Sequence, residues 1–289
     1  MNTDKKIIGI LSSSMSSYFV NRILEGVKKA LQGQEIELKV FELEGKTDLA
    51  YHRFIESVAD TPGLCGLLYG HLRLNVNQIA RFKSRNIPIV AVTERMIGID
   101  WVTVDEVKGA YLATRHLLGM GHRKIALLNG PALAIQSRLR EEGFCRALSE
   151  EGIFFGKDRD IRILNFSEDE GRDAMNMLLD LADPPTAVFV AAGDVAALGV
   201  MRALRDRGME CPEKVSLVGF DNLEFSSKVY PRLSSVNQPL EDMGAWAARR
   251  LMAVIQGKPG RSEGEIFEPE LILRDSVAAP RSRAAQSPV

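Results

Sequence analysis

An arginine, a pair of carboxylates, several hydroxyls and a few aromatic rings stand where this sequence would place the carboxyl ends of strands. Ser12 and Ser14, in a serine-rich stretch that leads to Tyr18-Phe19, follow an apolar run at 7–11. Tyr69 closes a run at 66–69, and Thr93 follows one at 89–92. Further along, Gly193-Asp194 follows a run at 187–192 and Asp221 follows one at 215–220, while Arg140 and Phe166 sit on or before helix starts on the same side. Charged groups of this kind make paired hydrogen bonds and aromatic faces cover an apolar ring face, so the set suits a polyhydroxylated or small heterocyclic ligand. It serves catalysis poorly. His52, His71, His116 and His122 fall in helices or turns, and none lies beside a serine or cysteine at a strand end. G-x-S-x-G, the P-loop lysine motif, H-E-x-x-H and a full G-x-G-x-x-G after a strand are all absent.

Most of these residues also have a structural reading. Aspartate favours helix N-caps, so Asp194 would cap a helix beginning at Val195. Asp221 would cap a turn after its strand, Phe166 would pack, and one of Tyr18 and Phe19 would belong to the core. The serine run reads as a loop in which one or two members touch ligand.

The elements that must position these groups follow a β-then-α beat. Strand-length apolar runs at 7–11, 35–43, 66–69, 89–92, 124–128, 161–164, 187–190 and 215–219 alternate with helical periodicity at 20–31, 49–59, 76–84, 139–150, 168–181 and 195–207. A strand at 234–237, a helix at 240–256 and a strand at 265–274 complete the pattern. Such alternation forces parallel sheets with right-handed crossovers and helices on both faces. The expected class is α/β, with two Rossmann-like lobes. Gly119-Met120-Gly121 marks a bend between them, giving lobes of 5–120 plus 239–262 and of 121–238 plus 263–279. From 280 to 289 apolar periodicity is lost, and disorder is expected.

Composition narrows the function further. Thirty-seven basic residues face 38 acidic ones, so this segment has no electrostatic footprint for nucleic acid. No apolar run spans a bilayer, and the N-terminus lacks a signal-peptide core, which points to the cytoplasm. Cys65, Cys145 and Cys211 are far apart and odd in number, so neither a disulfide framework nor a zinc site is suggested. No metal or other cofactor is expected.

Several blocks resemble the LacI/GalR family of transcription regulators in order and spacing: Asp105-Glu106-Val107-Lys108-Gly109-Ala110, Gly121-His122-Arg123-Lys124-Ile125-Ala126, Asn129-Gly130-Pro131, Arg138-Leu139-Arg140-Glu141-Glu142-Gly143-Phe144, Pro185-Thr186-Ala187-Val188-Phe189, Val215-Ser216-Leu217-Val218-Gly219-Phe220-Asp221-Asn222, and Pro231-Arg232-Leu233 through Asn237-Gln238-Pro239. The resemblance spans nearly all of 6–280. It implies a periplasmic-binding-protein-like fold of type I, with lobes joined by crossover hinge strands and closing on a small-molecule effector, in a homodimer. Arg140 matches the family arginine that grips the effector, Asp221 the acidic residue after its strand, and Phe166 an aromatic against the ligand face. Gly193-Asp194, Tyr18-Phe19 and Gln238 fall in matching blocks.

Departures are equally specific. Thr93 replaces a family aspartate, and Asp105-Glu106 stands where Asp-Asn is common. Ala134 and Gln136 occupy positions that contact the base in purine-responsive members, which turns the expectation toward a sugar or sugar derivative. The family begins with a helix-turn-helix headpiece, whereas this sequence opens on the first strand. The expectation is a sensing core, either separated from its head or naturally headless, that reaches DNA only through such a headpiece. An extracytoplasmic sugar-binding protein of a transport system shares the fold but should carry a secretion signal. A sugar-modifying α/β hydrolase would need a nucleophile or base at a strand end.

Overall fold

A computed structural model describes residues 6–12, 17–42, 48–70, 74–258 and 264–281. Ser14 and residues 282–289, on which expectations were placed, lie outside that set. In chain order the first elements are β1 (Lys6–Ser12), α1 (Ser17–Ala30), β2 (Ile36–Glu42), α2 (Asp48–Val58), β3 (Leu64–Gly70), α3 (Val76–Ser84), β4 (Ile89–Val92) and β5 (Asp100–Val104). Next come α4 (Glu106–Gly119), β6 (Ile125–Asn129), α5 (Ile135–Glu150), β7 (Asp160–Arg162), α6 (Glu168–Leu179), β8 (Ala187–Val190), α7 (Asp194–Asp206), β9 (Ser216–Asp221) and β10 (Ser234–Asn237). The chain closes with α8 (Leu240–Ile255), β11 (Gly264–Phe267) and β12 (Glu270–Ile272).

These elements form two compact units. One comprises the chain up to Val104 together with Pro239–Phe267, and the other Asp105–Gln238 with the segment from Glu268 onward. The first unit's sheet has the order β11-β5-β4-β3-β1-β2, parallel throughout. The second has the order β12-β10-β9-β8-β6-β7, with only β12 antiparallel to its neighbour. Leaving out the late edge strands β11 and β12, each sheet reads second, first, third, fourth, fifth in its own chain order. The order reverses between β1 and β3 and again between β6 and β8, the positions where doubly wound sheets open a crevice for ligands.

The local reasons are plain. β4 (Ile-Val-Ala-Val) and β8 (Ala-Val-Phe-Val) are buried at every residue, as a parallel sheet covered on both faces requires. Ser167 caps α6, its hydroxyl accepting the Glu170 N–H at 3.2 Å, and Glu168, Asp169 and Glu170 put negative charge in the first turn. Glycine lets helix backbones meet: a Cβ on Gly26 of α1 would run into the Glu241 carbonyl of α8, and one on Gly199 of α7 into the Glu168 carbonyl of α6. α8 buries Leu240, Met243, Ala247 and Leu251 in the first unit's core, each large side chain stabilising by roughly 1.5–3 kcal/mol.

Three expectations change. The first is the crossing point. The chain passes into the second unit at Asp105, so α4 belongs there, packed on α5; Gly121 merely ends α4, its N–H donating to the Leu118 carbonyl. The second is the strand expected at 265–274, which is two strands in two different sheets. Glu268-Pro269 separates them, and proline has no N–H for a ladder. The third is that β5 and α4 have no counterpart among the elements read from periodicity.

Candidate functional site

The expected ligand residues sort into two sets, one at the carboxyl edge of each sheet. In the second unit the centre is Arg140, carried one and a half turns into α5 and only 6% exposed. Its guanidinium lies 3.8 Å from the centroid of the Phe220 ring, an arrangement in which cation and π-face attract. Nε donates to Glu106 Oε2 at 2.7 Å and Nη1 to the Ala191 carbonyl at 2.6 Å. Burial works against the charge on Arg140, yet Glu106 and then Asp221 more than compensate and raise its pKa. Nη2 donates to no described residue.

Asp221 ends β9 at φ +103°, and its Oδ1 accepts from Gln238 Nε2 at 2.6 Å. Burial pushes its pKa up to about 7; Arg140 opposes this and Asp194 adds to it. Gly193 makes room for the carboxylate: a Cβ there would lie 2.6 Å from Asp221 Oδ2. Phe166 follows β7 at φ +55°, its ring laid against the bare Cα of Gly130 and close to Ser137. Left-handed backbone is costly for a bulky side chain and tends to concentrate at functional sites. Thr93, Phe166 and Asp221 are three of the five non-glycine residues with positive φ among those described.

Asp194 has both oxygens bonded within the chain. It is fully buried at the first position of α7, after the N-cap Gly193. Its Oδ2 accepts from the Leu223 N–H (2.9 Å) and the Ser226 hydroxyl (2.6 Å), and its Oδ1 from the Ser235 hydroxyl (2.7 Å). These donors hold the loop after β9, against which burial still raises the pKa to about 6. Its position also explains Gly219, whose Cβ would clash with Asp194 Oδ1.

In the first unit, Ser12, Phe19 and Tyr69 line a cavity of about 30 Å³ with Ile10, Leu68, Gly70 and Val92. Phe19 is 2% exposed and belongs to the core, whereas Tyr18 beside it is 51% exposed. Tyr69 is buried and its hydroxyl has no hydrogen-bond partner; burial, then Glu94, raises its pKa. Thr93 leaves β4 at φ +75°, its N–H bonded to the Val102 carbonyl at 2.7 Å.

The residue missed as part of this chemistry is Glu106. It is 2% exposed and sits at the start of α4, where Asp105 caps the helix by accepting the Lys108 N–H at 2.9 Å. The signal was present, since Asp105-Glu106 breaks the common Asp-Asn. What periodicity could not supply was its partner, 34 residues away.

Among the described residues no cluster of histidine, cysteine and carboxylate side chains suits a metal ion, and no helix is long and apolar enough to cross a membrane.

Comparison with known proteins agrees with this architecture. The periplasmic binding protein-like domain model matches residues 114–277. The HTH-type transcriptional regulator DegA of Bacillus subtilis (strain 168) is 32% identical over 206 residues, 71% of this chain and 60% of that protein's length. A LacI family transcriptional regulator from Enterococcus faecium, solved with bound ribose, superposes with a TM-score of 0.85 at 26% identity, covering 96% of this chain and all of that one. The regulator CelR in complex with cellobiose gives 0.83 at 27% identity, covering 94% and 85%. The chain belongs to the periplasmic binding protein-like family, as an effector-binding core of the LacI/GalR type.

Proposed function

We propose that this core senses a sugar or sugar derivative on behalf of a transcription regulator. The observation that carries the reading is Arg140, buried at a strand end and braced by Glu106 and Phe220, with Nη2 left over and Asp221 near enough to act on its charge. A guanidinium with a spare donor next to a carboxylate suits a vicinal diol, and Phe166 offers an aromatic face nearby. The ribose and cellobiose held by the two structural relatives support the same class.

In this reading the chain is a binder rather than an enzyme. The signal is lobe closure, driven only by different affinity for closed and open states. Tyr69, Thr93, Ser12 and Ser14 contribute ligand contacts from the first unit. A cytoplasmic homodimer that reaches DNA through a helix-turn-helix headpiece belongs to the same proposal.

A thermal-shift screen over ribose, cellobiose, other neutral sugars, polyols and nucleobases tests it, because a ligand that binds the native state raises its melting temperature. Sugars are expected to stabilise and nucleobases to have no effect. Calorimetry on the best sugar should then show binding abolished in Arg140→Ala and Asp221→Ala, with far-UV circular dichroism unchanged. Unchanged affinity in both variants, or stabilisation by nucleobases alone, overturns the reading.

A further inference from the structure

We infer that Glu106 sets the charge of the ligand this site accepts: the ligand is uncharged or cationic and rich in hydroxyl or amino donors, and acidic sugars are turned away. This rests on the ligand-binding role proposed for Arg140.

The argument is a census of open atoms. In a site built to hold an anion, the guanidinium would be kept free for the ligand. Here its Nε side is already taken by Glu106 Oε2 at 2.7 Å, in an ion pair with both side chains below a tenth exposed. What remains is one donor end, Arg140 Nη2, against two acceptors without a donor among the described residues, Glu106 Oε1 and Asp221 Oδ2. None of the three is sealed from solvent. Asp194 does not alter this balance, because its oxygens are satisfied by Leu223, Ser226 and Ser235. Nor does Arg274 restore positive charge at the open edge: its guanidinium donates to the Leu233 carbonyl and to Asn222 Oδ1. The open edge therefore sets one guanidinium against two carboxyl groups.

Stability alone does not account for the pair. Buried ion pairs seldom outperform apolar residues of the same volume, because both charges lose their water. Glu106 also stands in the first turn of α4, at the positive end of the helix dipole. A phosphate or carboxylate docked on Arg140 would have to displace Glu106 or sit beside it, and rejection by an unmatched charge is how binding sites gain specificity.

Matched probes test this on the whole chain: D-glucose, D-glucosamine, D-glucuronate and glucose 6-phosphate, with D-ribose and ribose 5-phosphate as a second series, each titrated by calorimetry. In the wild type, the neutral or amino member is expected to bind at least tenfold tighter than its acidic counterparts. Glu106→Gln keeps the shape and removes the charge, and should shrink that ratio at least tenfold. Glu106→Asp keeps the charge and should keep the ratio. Equal or tighter binding of the acidic member by the wild type, or an unchanged ratio in Glu106→Gln, overturns the inference while leaving the sugar reading intact. If Glu106→Gln fails to fold by circular dichroism, the wild-type and Glu106→Asp ratios decide. Silence from every probe on a folded wild type overturns the sugar reading, and this inference with it.

Discussion

At the carboxyl edge of the first sheet, Ser12 and Tyr69 line a small apolar cavity and Thr93 follows β4. At the same edge of the second, Arg140, Glu106 and Asp221 offer charge. Both sheets have the same strand order, and a residue with positive φ stands at the end of the fourth strand of each unit, Thr93 just after β4 and Asp221 as the last residue of β9. The backbone device is repeated while the side chain it presents differs. A shared scaffold fixes where a ligand can be met, and the residues grafted on it decide what is said there.

The comparison can be broken most forcefully at Arg140. Arg140→Ala removes one partner of a buried ion pair with Glu106, which should cost about 3–5 kcal/mol. Chemical denaturation measures it, and a loss confined below 1 kcal/mol would show that the pair is not held in a dry environment.

Next come the helix contacts, which the two units build alike. Gly26→Val in the first and Gly199→Val in the second each force a side chain into a facing carbonyl. Each should cost about 1–3 kcal/mol or more by overpacking, as read from the melting temperature. A tolerant Gly26 beside an intolerant Gly199 would show that the units differ in packing as well as in chemistry.

Asp221→Asn probes charge through pH. Its folded pKa is raised from 3.8 to about 7, so its contribution to stability is fully present below 3.8 and lost as pH rises through about 7. Relative to wild type, the Asn variant should gain stability as pH rises from 3.8 to about 7 and hold that gain above it, followed by urea unfolding. His122 carries the opposite sign. Burial lowers its pKa from 6.5, so its contribution is fully present above 6.5 and is lost as pH falls below that toward the lowered folded value.

The smallest effect is expected at Tyr69. Removing its buried, unpartnered hydroxyl in Tyr69→Phe should raise stability by about 1 kcal/mol. If that variant also weakens sugar binding, the first unit supplies a ligand contact; unchanged affinity would leave recognition to the second unit alone.

Much of the fold was legible in the residues. β4 and β8 lie at their expected bounds, because four-residue apolar runs bounded by turns have few other uses in an alternating chain, and β10 (Ser-Ser-Val-Asn) lies at its bounds as well. α5 begins four residues before its periodic stretch, since Ala134 offers no side-chain cap to announce it. The site was legible in part. Strand ends and helix starts put Asp221, Arg140 and Phe166 at one sheet edge, but nothing local separates an aspartate with one bonded oxygen from one whose two oxygens hold a loop. Asp194 and Asp221 differ only in where Leu223, Ser226 and Ser235 come to rest, and that is a long-range fact.

The split of the first unit between the two ends of the chain bears on its birth. Residues up to Val104 make five strands, but α8 and β11, which cover that sheet and extend its edge, are synthesised only after Gln238. Domains generally fold as units while the ribosome works from the N-terminus at about 5–20 residues per second. The second unit therefore has nearly its whole body available while the first still waits for its last helix. Until then β5 lacks the strand that pairs its edge, and the sheet lacks the helix that covers it.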